Sequence, residues 1–207
     1  MRIVVEHLEE CLSPWIMSEY RYVVRLFGGA VAFTNVRSPQ AQGALKKLGV
    51  EVFEESVADL LARGYLRLPI VLDPSARESL KPEDLESSDS VVLGGIMGEH
   101  PPRGRTFREI TSRLLPRALP RNLGRSQLTI AGAAYVLKRI ASGSRLEDLD
   151  IRFGLRFSLR LGSYMLSIEL PYAFPYENGK PVLPEGYLEV IARRSLHFES
   201  RPSCVED

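Results

Sequence analysis

Only two cysteines, Cys11 and Cys204, occur in 207 residues. They are too few for a disulfide framework or a closed four-cysteine zinc site. The expectation is a reduced, cytoplasmic chain in which Cys11 is a small, at least partly buried thiol. No run approaches about 18 consecutive apolar residues, so no membrane-spanning helix is expected. The opening Met1-Arg2-Ile3-Val4-Val5-Glu6-His7 turns acidic too early for a signal peptide. Net charge is nearly absent, at +1, with 44% of residues hydrophobic. That combination excludes a wholly disordered chain. His7, His100 and His197 stand at no ligand spacing from one another or from the cysteines, so no metal is expected. Also missing are a G-x-S-x-G elbow, a Walker loop and a G-x-G-x-x-G turn. Lysine is scarce, five among 27 basic residues, and arginine carries the rest.

What is present alternates. Ile3-Val4-Val5 reads as a buried strand. Ser13-Pro14 opens a helix with Ser as N-cap and Pro at its first position, and Gly28-Gly29 closes it. Residues 30–34, 52–53, 69–72 and 90–93 read as further strands, and 39–48 and 56–62 as helices. Such alternation predicts βαβ units around a mostly parallel sheet. A second strong helix is predicted over 126–140. Then the period changes to two: Ile151, Phe153, Leu155, Phe157, Leu159 and Leu161 alternate with Arg152, Arg156 and Arg160. With a turn at Gly162-Ser163, this predicts a β-hairpin running to residue 170 that has an arginine-bearing face. Residues 177–180 read as a turn and 184–193 as a last helix. The end is polar and reads as frayed.

Three loops stand out because each follows a predicted strand or opens a helix. They are Leu72-Asp73-Pro74, then the glycine-rich Gly94-Gly95-Ile96-Met97-Gly98-Glu99, then Asn122-Leu123-Gly124 leading to Gln127-Leu128-Thr129. Ligands in open α/β sheets sit at the strands' carboxyl edge, and glycines let a backbone approach them closely. Each loop taken alone also reads as a turn or a helix cap. Charge clusters flank them. Glu6, Glu9, Glu10 and Glu19 lie early; Glu9 and Glu10 read as a solvated loop, whereas Glu6 directly follows a buried strand. Seven arginines lie between Arg103 and Arg125 against the single acid Glu109, a set suited to phosphate, carboxylate or an acidic partner.

Several segments resemble one family, in the same order and over nearly the whole chain. They are Val5-Glu6-His7-Leu8-Glu9-Glu10, Ser13-Pro14-Trp15, Glu19-Tyr20, Leu72-Asp73-Pro74-Ser75-Ala76, Gly94 through Thr106, Arg121-Asn122-Leu123-Gly124 and Gly179-Lys180-Pro181. The Gly94–Thr106 stretch is the longest and most specific. The chain resembles an archaeal and eukaryotic group of SPOUT-class methyltransferases, known as S-adenosylmethionine (SAM)-dependent RNA methyltransferases. That group includes a yeast member acting on an arginine of a small-subunit ribosomal protein. The stretch 151–177 matches the group poorly.

The resemblance implies an α/β SPOUT fold with a deep C-terminal trefoil knot; the C-terminal β-hairpin elaboration is read from the period-two pattern and is not explained by the family. The implied organisation is a methyltransferase core over 1–150, the hairpin and terminal helix packed on it over 151–195, and a tail over 196–207. It implies SAM as cofactor, S-adenosylhomocysteine as product, and no metal. The cofactor would lie on Leu72, Asp73, Pro74, Gly94, Gly95, Ile96, Gly98, Asn122, Leu123, Gly124, Gln127, Leu128 and Thr129. Methyl transfer is an in-line displacement that needs alignment rather than an enzyme nucleophile. An arginine acceptor needs carboxylates to hold its guanidinium fork, and Glu6, Glu19 and Glu99 are the catalytic candidates. Arg103, Arg105 and Arg121 are the substrate-binding candidates. The expected partner is a ribosomal protein or the ribosome, with no membrane. RNA is the alternative acceptor, with Arg152, Arg156 and Arg160 then contacting phosphates. A non-catalytic binding module is a third reading. A homodimer, common in the class, is left open.

Overall fold

A computed structural model describes residues 1–98, 100–161 and 163–196. Glu99, Gly162, His197, Cys204 and the rest of the expected tail therefore lie outside the described residues.

Six parallel strands form the central sheet: β1 (Arg2–His7), β2 (Val31–Thr34), β3 (Glu51–Val52), β4 (Pro69–Leu72), β5 (Ser90–Gly95) and β6 (Leu119–Arg121). Their order is β3-β2-β1-β5-β4-β6. Both faces are covered, which explains why the strands read as short unbroken apolar runs. Alternate residues go to opposite sides. Ile3, Val5, Ile70, Leu72, Val91 and Leu93 pack in one cluster with α1 (Pro14–Phe27) and α6 (Ile130–Ala141). Val4, Val71 and Val92 pack in the other, with α3 (Val57–Ala62) and the one-turn α5 (Ser112–Leu114). The shorter helices α2 (Pro39–Lys46) and α4 (Pro82–Glu86) complete the crossovers. A π-helical turn, Phe107–Thr111, runs directly into α5.

The caps follow the sequence. Ser13 accepts a hydrogen bond from Ile16 N–H with Pro at the first turn of α1, and Ser56 forms a capping box with Asp59 at α3. At α6 the N-cap is Thr129, which accepts from Gly132 N–H. The helix therefore starts later than the predicted residue 126, and Arg125 to Leu128 remain a loop.

Strand β6 was not visible as a strand, because it is a three-residue edge carrying Pro120. It has a large consequence: β5, β4 and β6 are neighbours in the sheet, so the loops leaving their carboxyl ends converge.

Beyond α6, β7 (Ile151–Leu161) and β8 (Tyr164–Glu177) pair antiparallel with a bulge between Phe153 and Leu155. Strand β9 (Lys180–Pro181) joins β8 through Asn178-Gly179, both at positive φ, 52° and 75°. This is the two-residue turn that the Asn-Gly pair predicts. Helix α7 (Tyr187–Leu196) and β7–β8 share a third apolar cluster, with Trp15 of α1 against it. The arginine face is largely ion-paired internally: Arg152 with Asp150, and Arg156 with Glu169. Cys11 is half-buried and disulfide-bonded, not the free thiol expected.

Candidate active site

The converging loops enclose a cavity of about 370 Å³, within the usual range for a small-molecule site. Leu72, Asp73 and Pro74 line it from the first loop. Gly94 and Ile96 line it from the second, and Leu123, Gly124, Gln127, Leu128 and Thr129 from the third. Ten of the thirteen expected cofactor residues thus meet at one place. Met97, the segment 102–106 and Ala133 complete the wall.

The three exceptions each have a different function in the structure. Gly95 lies beneath the cavity floor, paired with His7 across the sheet. A Cβ there would collide with the Tyr20 hydroxyl and sit 2.8 Å from the Glu6 carbonyl oxygen. Its glycine is therefore required by packing under the loop, not by a ligand. Gly98 does not line the cavity itself; a Cβ there would collide with the Gln127 amide and the Tyr172 ring. Asn122 is a staple. Its amide donates to Ala76 O at 2.9 Å, while its carbonyl oxygen accepts from Ser79 Oγ and Gly124 N–H, both at 3.0 Å. It ties the third loop to the first and does not line the cavity.

The candidate acids separate in the same way. Glu6 is 2% exposed and faces away from the cavity wall. Its carboxylate accepts from Thr34 Oγ1 at 2.5 Å and from Val57 N–H at 2.9 Å, the first residue of α3. Burial pushes its pKa up in spite of these bonds. Its position fits a helix anchor and not the expected catalytic acid. Glu19, also 2% exposed, accepts from Ala131 N–H near the start of α6 and from the Tyr187 hydroxyl, both at 2.5 Å. Burial raises its pKa too. Unlike Glu6, it lines a hollow of about 10 Å³ walled also by Trp15, Gly98, Tyr172 and Tyr187. That hollow shares Ile96, Met97, Leu128, Thr129 and Ile130 with the large cavity. Glu99 lies outside the described residues.

Of the three candidate arginines, Arg103 and Arg105 line the cavity. The Arg105 guanidinium is held on all three nitrogens: by Glu109 at 3.0 Å, Glu9 at 2.9 Å and Leu8 O at 2.8 Å. Glu9 accepts Met97 N–H as well, at 3.0 Å. The residue read as part of a solvated loop is therefore the brace that sets the glycine loop. Nothing local in the sequence separated Glu9 from Glu10. Arg121 makes a two-point pair with Asp84, at 2.9 and 3.0 Å, and its side chain is only 13% exposed. It fastens the end of β6 to α4 and is not placed to meet a substrate. His7 is buried against the Tyr20 hydroxyl, Nδ1 at 2.8 Å, and burial lowers its pKa to about 4. Among the described residues no group of three or more metal-ligating side chains comes together.

The fold matches solved protein arginine methyltransferases. The yeast SFM1 structure complexed with SAM superposes with a TM-score of 0.82 at 28% identity, covering 95% of this chain and 92% of that one. The complex with S-adenosylhomocysteine gives 0.80. A Trm10 from Thermococcus kodakaraensis shares the fold alone, with a TM-score of 0.52 at 11% identity. In sequence, Saccharomyces cerevisiae protein arginine N-methyltransferase SFM1 is 32% identical, over 94% of this chain and 96% of its own length. The family model for SFM1-like protein arginine N-methyltransferases matches residues 2–197, and the chain belongs to that family.

Proposed function

We propose that this chain transfers a methyl group from SAM to an arginine of a protein, with a ribosomal protein as the target. The observation that carries the reading is the cavity of about 370 Å³, set where three neighbouring strands end, in a fold that follows SFM1 over nearly its whole length.

The residues present suit the cofactor. Leu72, Leu93, Leu123, Leu128 and Ile130 offer apolar faces to a purine, and Gln127, Ser75 and Thr129 offer polar groups to its edge and ribose. Arg103 supplies positive charge for an amino-acid carboxylate. A Cβ on Gly94 would lie 3.1 Å from Ile96 Cδ1, so a side chain there would displace the end of the Ile96 side chain. When bound, the sulfonium supplies an electrophilic methyl group. The protein's part is alignment, exclusion of water and removal of one proton.

The deep trefoil knot belongs to this proposal. The loop 73–80 would be the one crossed by residues 122–130. Support comes from the close stitching of Asn122 to that loop: Asn122 N–H to Glu78 O, and Leu80 N–H to Asn122 O, both at 2.9 Å.

The test is incubation with labelled SAM and ribosomes, followed by separation of protein from RNA. Label is expected on an arginine in the protein fraction. Label confined to RNA overturns the proposal in favour of the RNA alternative. That alternative has less support, because Arg121, Arg152 and Arg156 already hold carboxylates.

A further inference from the structure

We infer that Glu9 is a positioning residue for the cofactor: from outside the cavity, one of its carboxylate oxygens fixes both limbs of the second wall and so sets cofactor affinity. The inference rests on SAM as the cofactor and holds whichever group is methylated.

The sheet puts Glu9 in place. Strands β1 and β5 run parallel, with Glu6 beside Gly94 and His7 beside Gly95. The same offset carries past the ends of both strands. Leu8 N–H reaches Gly95 O at 3.1 Å, and Glu9 stands beside Met97. Its Oε1 accepts Met97 N–H at 3.0 Å and Arg105 Nη1 at 2.9 Å. Met97 and Arg105 both line the cavity, as do Pro102, Arg103 and Gly104 between them, whereas Glu9 does not. A single atom behind the wall therefore holds the two ends of a stretch that forms it.

The plain alternative is a surface ion pair, which on its own contributes little. Two features set this pair apart. The Glu9 and Arg105 side chains are only 25% and 20% exposed, and the guanidinium is already fixed on its other nitrogens by Glu109 and by Leu8 O. The same carboxylate oxygen also carries a backbone donor, and its charge strengthens both bonds. Glu109 touches only the Arg105 limb; Glu9 holds Arg105 and the backbone of the glycine loop together. Only the loss of Glu9 frees both limbs. A wall that is loose in the free protein has to be ordered on binding, and that entropy is taken from affinity. With Glu9 present the ordering is complete before the cofactor arrives.

The experiment titrates the full chain with S-adenosylhomocysteine in a calorimeter and follows hydrogen exchange of the free protein. Glu9→Met keeps the length of the side chain and removes the acceptor. Its Kd should rise roughly tenfold or more, and the Met97 amide should exchange faster while the β1 amides stay protected. Glu9→Gln keeps an acceptor oxygen and should bring Kd back to within about threefold of wild type. Glu10 is exposed, and Glu10→Gln should leave Kd unchanged. Glu9→Asp keeps the charge but draws the carboxylate back from its two partners. It should raise Kd by about threefold or more, and it decides the matter should Glu9→Met not fold. A folded Glu9→Met, or Glu9→Asp in its place, that binds within about twofold of wild type overturns the inference. So does an equal loss in Glu10→Gln, which would make the effect one of net charge. None of these measurements involves an acceptor, so the proposed arginine methylation stands or falls separately.

Discussion

The carboxylate of Glu6 accepts the backbone N–H of Val57 at 2.9 Å, across 51 residues of sequence. The end of the central strand β1 thereby holds the first turn of α3, where a negative charge meets the helix's unpaired N–H groups. Glu19 does the same for α6 through Ala131. Two glutamates that look alike in sequence share this role, yet only Glu19 also borders an open space.

Glu6→Gln is therefore expected to act on stability. Thr34 Oγ1 and Val57 N–H both donate to the same oxygen, Oε2, so an amide oxygen can take both, but without the charge that strengthens the two bonds. The cost should be about 1–3 kcal/mol, read from denaturant unfolding. Turnover of the remaining folded protein should stay within about twofold of wild type, a difference below roughly 0.5 kcal/mol. A tenfold loss of kcat with unchanged stability would return Glu6 to the chemistry.

Gly95→Ala should destabilise the fold by about 1–3 kcal/mol through overpacking against the Tyr20 hydroxyl and the Glu6 carbonyl. Adding Tyr20→Phe should recover part of that cost, which a double-mutant cycle measures. Strict additivity would show that Tyr20 is not the obstacle. The glycine loop illustrates what sequence could and could not convey. Gly94, Gly95 and Gly98 formed one signal in the sequence. Their three separate duties depend on Tyr20 from α1 and Tyr172 from β8, far along the chain. The short apolar strands, the Ser-Pro helix start and the Asn-Gly turn were legible because each is decided by neighbours a few residues away. Strand β6 and the brace formed by Glu9 were not, because both depend on partners brought near only by the completed sheet.

His7 gives a pH dependence with a definite sign. Its folded pKa of about 4 lies below the ordinary value of 6.5, so the unfolded chain binds the proton more readily. The stability linked to neutral His7 is present above pH 6.5 and is lost as pH falls toward 4, by up to about 3 kcal/mol. Glu6 and Glu19, with raised values, contribute in the opposite sense. The difference between wild type and His7→Asn isolates the histidine. Wild type should lose more stability than the variant between pH 6.5 and 4. Parallel unfolding free energies across that range would contradict the assignment.

Arg121 and Arg103 should separate cleanly. Arg121→Ala leaves the half-buried Asp84 at α4 without its guanidinium partner and should cost on the order of 1 kcal/mol, with KM for peptide unchanged. Arg103→Ala acts at the cavity wall. Its effect should appear in cofactor affinity by calorimetry. An Arg121 variant with native stability and a raised peptide KM would restore it to the substrate surface.

The neighbouring placement of β5, β4 and β6 has a bearing on biosynthesis. The first two walls of the cavity are finished by Thr106, but the third is laid down only when residues 122–130 reach β4. During translation the chain therefore acquires most of its sheet well before it acquires its ligand. An emerging polypeptide that stops short of Asn122 has strands, helices and a half-built trough, with nothing to close over a nucleoside. Affinity for the cofactor is thus a late property of the nascent chain. It cannot help to organise the early strands, and it can stabilise only a protein whose third loop is already in place.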